Sequence, residues 1–506
     1  MRRLAALSLI FLPTLASAQA IVVSPKPDKV AVTVYRDPNG SGEMELSWLG
    51  GFALVTETRR VSLPVGEVDL RFEGVAGGLI PQSAVVSGLG DGVSEKNRDA
   101  KLLSPGTLID AYLGQRVHLR RTSKATGKVI EQEAIVRASG DGIVIQTESG
   151  VEALRCTGLN ETLLAPNVPA DLSAKPTLSV RARSAAPVEA TVMLTYLTTN
   201  FDWRAHYVAT LAPDGKTMSL FAWLTLANGD ETGFADADTM AVAGRLNREE
   251  TERMEPETRS LSLTCWPNQR THEVDEIRPD LEAPSPVTTV SAEQFDLTGT
   301  VTVSGLLGGR KSVIAEREDL GDLKLYRIPI PVSVAAHSQK QVALLDQPEA
   351  KMSDLFRWNS FFADTAEPQS AKRVLKMDNR KADGLGLPLP AGSFTLYTMR
   401  DGQPFLLGEG EMTDRAVGEM VEVVLAAAPG VTVSQRQLKR GDKSLETVVT
   451  ATNDQPLSVR FEARFDDRQK PLTTSGAVKD RDGYWVWETM IPAKTSRTLT
   501  VRYHPD

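Results

Sequence analysis

Apolar and polar side chains alternate one by one along much of this 506-residue chain. The pattern is clearest in residues 68–73, 457–465 and 498–503. Successive side chains of a β-strand point to opposite faces, so each run predicts a strand with one buried face and one face in water. Strands of that kind are typical of antiparallel sheets. The alternation therefore predicts a mostly β protein.

Short turn sequences separate the alternating runs. Asp214-Gly215 and Asp401-Gly402 are Asp-Gly pairs, and residues 480–483 have the same character. Because Asp-Gly pairs supply the positive φ of tight hairpins, these sites predict hairpin turns. Helical periodicity is scarce, and its best candidates are two short segments at residues 107–113 and 352–361.

Shifts in composition predict several consecutive domains. An N-terminal β domain is expected at residues 19–100. A small SH3-like β-barrel is expected at 105–170, where about five short strands alternate with evenly spaced turns. A larger antiparallel β-sandwich region, the main domain, follows at 175–506. Within it, residues 248–300 are rich in Glu, Thr, Pro and Arg and predict an irregular loop or insertion. Residues 385–506 are expected to form an immunoglobulin-like sandwich.

The amino terminus has the pattern of a signal peptide at residues 1–18. Two arginines precede an apolar stretch at residues 4–15, and Ala16-Ser17-Ala18 supplies the small-x-small pattern of a cleavage site. The apolar stretch is shorter than the ~20 residues that a membrane-spanning helix needs. We therefore expect cleavage near Ala18 and export to the periplasm or the cell surface. No transmembrane segment is expected in the mature chain.

The charge of the chain bears on its partners. After that cleavage the chain has 55 basic and 65 acidic residues, a formal charge of −10. Nucleic-acid binding requires a basic surface to neutralise phosphates, so a nucleic-acid partner is not expected.

Two cysteines, Cys156 and Cys265, are the only thiols of the chain. An oxidising compartment permits them to pair as a disulfide. The alternative is two separate buried thiols that pack as small apolar side chains. Their spacing does not distinguish the two.

Signatures of catalysis are scarce. The chain has no Gly-x-Ser-x-Gly elbow, no His-Glu-x-x-His helix and no phosphate-binding Gly-rich loop with Gly-Lys. Residues 201–207 place Asp202, Arg204 and His206 on one face of a predicted strand, which makes them a candidate surface site. The structural alternative is a row of charges on the solvent face of a half-buried strand. No catalytic residue is assigned.

Acidic and aromatic groups provide weaker candidates. Residues 37–42 begin like a calcium loop, but the twelfth position holds Trp48 instead of the bidentate glutamate, and a hairpin loop is the alternative. Asp230, Glu231, Asp236 and Asp238 are a second acidic cluster, for which a solvated loop is the alternative to a metal site. Trp485 and Trp487 share one strand face, and packing into a core is the alternative to ligand binding. No metal or cofactor is assigned.

Several stretches of the chain are similar to the bacterial mucoidy-inhibitor A-like proteins, whose main domain is catalogued as one of unknown function. In the main domain these stretches are residues 194–197, 203–207, 224–228, 326–329, 338–345 and the most specific one, Gly384-Leu385-Gly386-Leu387-Pro388-Leu389-Pro390-Ala391-Gly392, with Leu396-Tyr397. The leading domain contributes residues 32–36, 63–66 and 72–74. Many family members have a long coiled coil between the two β regions, whereas residues 105–165 here lack heptads.

The resemblance implies an exported, β-rich envelope protein linked to capsule or exopolysaccharide. The signal peptide, the consecutive β domains and the lack of convergent reactive groups lead us to expect a non-catalytic interaction or assembly module whose partner is an envelope protein or glycan. One alternative is a hydrolase of envelope polysaccharide, which would need two facing carboxylates. A second alternative is a calcium-dependent adhesive protein.

Overall fold

The computed structural model describes residues 20–40, 43–90, 92–99, 102–122, 126–139, 142–154, 160–169, 172–244, 246, 314–320, 323–360, 364–365, 367–441, 444–466 and 470–504. The predicted signal peptide, the predicted irregular segment at 248–300 and both cysteines lie outside the described residues.

The described elements are mostly β-strands. The first strands are β1 (Ala20–Ser24), β2 (Lys29–Tyr35), β3 (Phe52–Leu63), β4 (Gly66–Glu73), β5 (Val85–Ser87), β6 (Val93–Asp99), β7 (Arg116–Thr122), β8 (Val129–Ala138), β9 (Val144–Thr147), β10 (Gly150–Ala153), β11 (Asn160–Leu164), β12 (Thr177–Ser184), β13 (Val188–Thr199), β14 (Phe201–Leu211), β15 (Thr217–Asn228) and β16 (Phe234–Ala243). They are followed by β17 (Glu316–Leu320), β18 (Leu323–Arg327), β19 (Val332–Val334), β20 (Ser338–Lys351), β21 (Ser353–Asn359), β22 (Gln369–Asp378), β23 (Gly392–Arg400), β24 (Gln403–Met412), β25 (Met420–Gly441), β26 (Ser444–Asn453), β27 (Val459–Phe465), β28 (Pro471–Thr474), β29 (Val478–Arg481), β30 (Tyr484–Ile491) and β31 (Thr495–Tyr503). Within the described part of the chain, helical structure consists of α1 (Pro105–Ala111) and the 3-10 turns Pro81–Ser83 and Lys381–Asp383.

The chain divides into two compact units. Among the described residues, the first unit consists of those within 20–30 and 56–198, and the second consists of those within 31–55, 199–246 and 314–504. The domain boundaries expected from the sequence stay a prediction. Strand β2 pairs in parallel with β16, two hundred or so residues later, which is one reason why the chain after Val30 belongs to the second unit.

The first unit contains two complete β-sheets and, in addition, strands β3, β13 and β5, of which β13 and β5 pair antiparallel. One sheet has the strand order β1-β4-β12-β6, and the alternation at residues 68–73 forms the predicted strand β4. The other is an antiparallel sheet of five strands in the order β10-β9-β8-β7-β11, within the segment expected to form a small barrel. Its apolar cluster contains residues such as Val117, Leu119 and Ile145, together with Ile109 from α1. The closure of an SH3-like barrel stays a prediction.

The predicted helix at residues 107–113 is confirmed by α1. Its N-cap is Ser104, whose side chain accepts a hydrogen bond from the Thr107 amide while the Thr107 hydroxyl accepts one from the Ser104 amide. This reciprocal pair satisfies amides that the first turn leaves without partners. Pro105 follows at the first helical position, where its missing N–H removes no helical hydrogen bond.

The second unit holds a large mixed sheet. Its main path is β20-β15-β14-β23-β24-β25-β22-β21-β27-β30-β29, and β26, β31 and β28 continue from β25. A smaller group has the order β17-β18-β16-β2, with β19 also paired to β16. Most neighbours are antiparallel, as the alternation predicted, but β14 pairs with β23 in parallel and β21 pairs with β27 in parallel.

The last strands enclose one apolar cluster of the kind expected for a β-sandwich. It contains Phe461, Ala463 and Phe465 of β27 and Leu499, Val501 and Tyr503 of β31. These residues are among the apolar members of the alternating runs 457–465 and 498–503, whereas Leu457, at the start of the first run, is 74% exposed and lies outside β27. The period-two pattern therefore predicted the buried face of both strands correctly.

One predicted hairpin turn is confirmed, and one predicted helix is wrong. Asp401 and Gly402 have φ of 51° and 77° and connect β23 to β24, which confirms the predicted hairpin. The predicted helix at residues 352–361 is wrong, because residues 353–359 form β21. Pairing with β22 and β27 on both sides satisfies this backbone as a strand, so tertiary pairing overrides a weak helical pattern.

Candidate functional site

The predicted trio lies on β14 but does not form one exposed site. Asp202 is only 1% exposed, Arg204 is half-buried and His206 is exposed. The Arg204 Nη2 lies 3.8 Å from the Asp202 Oδ2, and the Nδ1 of His206 is 2.6 Å from the Ser393 hydroxyl. The prediction that all three face solvent is therefore wrong for Asp202. Its carboxylate lies inward because backbone amides bind it.

The buried carboxylate of Asp202 anchors the chain that follows β2. Its Oδ1 accepts hydrogen bonds from the amides of Asp37, at 3.0 Å, and Trp203, at 2.8 Å. A Cβ placed on Gly51 would lie 3.0 Å from the same oxygen. Burial raises the pKa of Asp202 to about 6, and the two amide hydrogen bonds oppose this shift. The contacts assign Asp202 a structural role.

The two acidic segments considered as candidate calcium sites make hydrogen bonds within their own loops. Asp230 is buried, and its Oδ1 accepts a hydrogen bond from the Thr232 amide at 2.8 Å. Asp37 Oδ1 accepts one from the Asn39 amide at 2.9 Å. Among the described residues, no group of three or more His, Cys, Asp or Glu side chains is placed to hold a metal ion.

The proline-glycine block at residues 384–392 has a structural explanation. Gly384 has φ of 86°, and a Cβ there would collide with the Glu349 carbonyl oxygen, so only glycine fits. The Asn379 side chain donates to the carbonyls of Leu387 and Ala416, and its Oδ1 accepts from the amides of Gly386 and Leu387. The most specific sequence motif of the chain is therefore a loop held together by a buried asparagine.

The two tryptophans of β30 belong to the C-terminal core. Trp487 is 5% exposed and contacts the Phe461 ring at 5.8 Å between centroids, and Trp485 packs against the same cluster. Packing into the core, the structural alternative stated from the sequence, describes both rings.

A charged cluster lies on the opposite face of the C-terminal strands. Arg357 of β21 donates from Nε to Glu462 Oε1 at 2.5 Å. Its two terminal nitrogens donate to the two carboxylate oxygens of Glu422, at 2.9 and 3.0 Å. This bidentate contact is the strongest geometry for an arginine and a carboxylate. Lys376 and Arg464 also contact both acids.

Parallel pairing of β21 with β27 creates this cluster. Arg357 is the register partner of Glu462 in that pair and of Lys372 in the antiparallel pair with β22. Glu462 is completely buried under its partners, whereas Arg481 at the outer end of the cluster is 37% exposed. We call Arg357, Lys376, Glu422, Glu462 and Arg464, together with Arg481, Glu488 and Lys372, the Arg357 cluster.

A pocket opens beside the Arg357 cluster. Its volume is about 440 Å³, within the ~300–1,000 Å³ range of small-ligand sites. Its lining residues are Arg357, Trp358, Asn359, Gln369, Ser370, Lys372, Val424, Arg464 and Tyr484. The Arg464 guanidinium carbon lies 5.2 Å from the Tyr484 ring centroid, a cation–π contact that orients both side chains. The pocket thus combines positive charge with amide, hydroxyl and aromatic groups.

The two acids beneath the pocket are held in the ionised state. Burial favours the neutral form of Glu422, but hydrogen bonds from Arg357 and Lys376 outweigh it and lower the pKa to about 2. Burial is likewise outweighed at Glu462 by the charges of Arg357 and Arg464, which lower its pKa. A general acid in glycoside hydrolysis needs a raised pKa. This pair of carboxylates is therefore unsuited to that role.

The sequence did not single out this pocket. One sequence feature could have indicated the pocket: Arg357 stands between two aromatic residues, Phe356 and Trp358. A charge within such an apolar run needs a buried partner. That partner, Glu462, lies over a hundred residues away, so local reasoning does not find it.

A scan against models of protein families found no match, and a search of curated proteins found no match either. Among the described helices, none is both long and apolar enough to cross a membrane.

Proposed function

We propose that this chain is an exported cell-envelope protein that acts as a non-catalytic interaction or assembly module. The proposal includes cleavage near Ala18, the resemblance to mucoidy-inhibitor A-like proteins, and a partner that is an envelope protein or glycan. The small SH3-like barrel and the immunoglobulin-like C-terminal part belong to the same proposal.

The observation that carries the binding role is the open pocket of the Arg357 cluster. Three cationic side chains line it, and the acids below them are locked in ion pairs. Groups arranged in this way attract a negatively charged partner, while the ion pairs with Arg357 lower the pKa of both Glu422 and Glu462, which disfavours a proton-donating role for either acid. Binding without catalysis is the use that this chemistry favours.

Affinity capture tests the binding role. The chain from Gln19 to Asp506, attached to a resin, is incubated with a solubilised bacterial envelope fraction and with a cytoplasmic fraction as control. We expect a defined protein or glycan to be enriched from the envelope fraction alone. Enrichment of nothing above bare resin, in repeated extractions, would contradict the proposal.

Export is tested independently. We expect the full chain, produced in a bacterium, to appear in the periplasmic or extracellular fraction with the mass of a chain that begins at Gln19. An Ala18→Arg variant should remain uncleaved, because a signal peptidase site requires a small residue there. A chain that stays in the cytoplasm at full mass would refute this part of the proposal.

A further inference from the structure

The Arg357 cluster carries more positive than negative charge. Its cations are Arg357, Lys372, Lys376, Arg464 and Arg481, and its acids are Glu422, Glu462 and Glu488. The cluster therefore has a surplus of two positive charges. Lys372, Arg357 and Arg464 direct that surplus to the pocket, since they line it.

The surplus is local, because the whole chain has a formal charge of −8. A long, densely charged polyanion would be repelled by the rest of such a protein. A ligand with one or two negative groups, held inside the pocket, matches both the local surplus and the overall charge.

The remaining lining groups are suited to hydroxyl groups. Gln369 Oε1 accepts a hydrogen bond from the Trp358 indole at 2.9 Å, which orients the amide NH₂ of Gln369 away from that ring. Asn359 and Ser370 add an amide and a hydroxyl. These groups both donate and accept, as sugar hydroxyls do.

The arginine at the centre retains donors for a ligand. A guanidinium has five N–H groups, and the contacts of Arg357 with Glu422 and Glu462 use three of them. These contacts also hold its planar fork still. An ordered guanidinium loses less entropy when a carboxylate binds than a mobile one does.

We propose that this pocket binds a carboxylate-bearing sugar unit of a glycan, with Lys372, Arg357 and Arg464 facing the carboxylate and the amide and hydroxyl groups facing the ring. This inference rests on the proposed binding role and specifies its ligand class. An acidic peptide is the competing ligand, and it presents carboxylates without ring hydroxyls.

Calorimetric titration of the Gln19–Asp506 chain with a galacturonic acid trimer tests the inference. We expect binding that weakens at least tenfold in Lys372→Gln and at least tenfold for the methyl-esterified trimer, which lacks the charge. The matched control is Lys340→Gln on β20, an exposed lysine outside the pocket, for which we expect less than a twofold change. Circular dichroism should show both variants folded.

The possible failures are distinguishable. Binding of the trimer that is unchanged in Lys372→Gln would place the ligand elsewhere and overturn the inference. Equal binding of a triglutamate peptide would overturn the assignment to a glycan. If the chain captures envelope material but not the trimer, the inference fails and the proposed binding role stands. If it captures neither, both fail.

Discussion

Two groups of buried charges, one in each unit, differ in how completely protein groups surround and neutralise them. In the first unit, Glu57 and Arg59 are both completely buried and 2.6 Å apart. Arg59 also donates to the carbonyl oxygens of Ser24, at 2.7 Å, and Glu73, at 2.9 Å. The Tyr196 hydroxyl donates to Glu57 at 2.7 Å. One cation and one anion balance, and protein groups surround them.

The Arg357 cluster of the second unit is neither balanced nor closed. Its charges exceed neutrality by two, and its cations line a pocket. A closed and neutral network contributes to a unique packing, whereas an open one with surplus charge has binding capacity for a counter-charge. Both groups bury charge, so burial of charge alone does not mark a functional site. The proposed binding role depends on the surplus charge beside the pocket.

Replacing Arg59 should cause the largest loss of stability. Arg59→Met leaves the Glu57 carboxylate buried without a cation, and we expect a loss of about 3–5 kcal/mol in the unfolding free energy of the first unit. Hydrogen exchange of β3 and β13 measures it. Glu57→Met/Arg59→Met should recover most of the loss, because replacing both charges with apolar groups removes the unpaired one. The exposed Arg60→Ala is the control, at below about 1 kcal/mol. Equal losses in the single and double variants would contradict the closed-network view.

Neutralising Glu462 should have a smaller effect. Glu462→Gln removes a buried acid that four cations share, and we expect a loss of about 2 kcal/mol. The open pocket lets water solvate the remaining cations, which limits the loss. Tryptophan fluorescence during denaturant unfolding reports it, since Trp358 and Trp487 lie nearby in the second unit. Glu488→Gln, at a 44% exposed acid, should change stability by less than about 0.5 kcal/mol.

Asp202 is a third buried acid. Its neutralisation should raise the unfolding free energy, whereas neutralising Glu462 should lower it. Its folded pKa of about 6 exceeds its ordinary value of 3.8, so the wild type loses stability as the pH rises between these values. Asp202→Asn keeps an acceptor for the amides of Asp37 and Trp203 and carries no charge. We expect it to be about 1–2 kcal/mol more stable at pH 7 and nearly equal at pH 3.5. Lower stability at pH 7 would show that the negative charge has a role.

Glu422 should make the second unit sensitive to acid. Its folded pKa of about 2 lies below its ordinary value of 4.5, so its stabilisation is present above pH 4.5 and is lost as the pH falls towards 2. Glu422→Gln should be about 1 kcal/mol less stable at pH 7, as for a partly exposed ion pair, and should lose less between pH 5 and 3. Glu409→Gln, at an exposed acid of β24, should keep the wild-type profile.

Lys372 should have the smallest effect on stability although it is expected to matter for binding. The side chain is exposed, so Lys372→Gln should change the unfolding free energy by less than about 0.5 kcal/mol. Fluorescence-monitored unfolding of this variant and the wild type gives the comparison. A loss of more than about 1 kcal/mol would mean that Lys372 belongs to the structural part of the cluster.

Much of the local fold was predictable and the candidate site was not. The runs at 457–465 and 498–503 predicted β27 and β31 with the correct buried faces, because alternation and burial are both local properties. The helix expected at 352–361 was wrong, since its backbone pairs with two strands from elsewhere in the chain. The same pairing forms the Arg357 cluster, so the error in the fold and the missed site have one cause.

By itself, the sequence determined that the alternating runs form strands, such as β4, β27 and β31, and which side of each is apolar, because a period of two in the side chains is readable within a few residues. It also determined the hairpin at Asp401-Gly402 through the backbone freedom of those two residues. Only the tertiary structure decided that β21 lies beside β27, and therefore that Arg357 meets Glu462 next to a pocket. Partner choice depends on which distant surfaces exclude water together, and no local pattern encodes it.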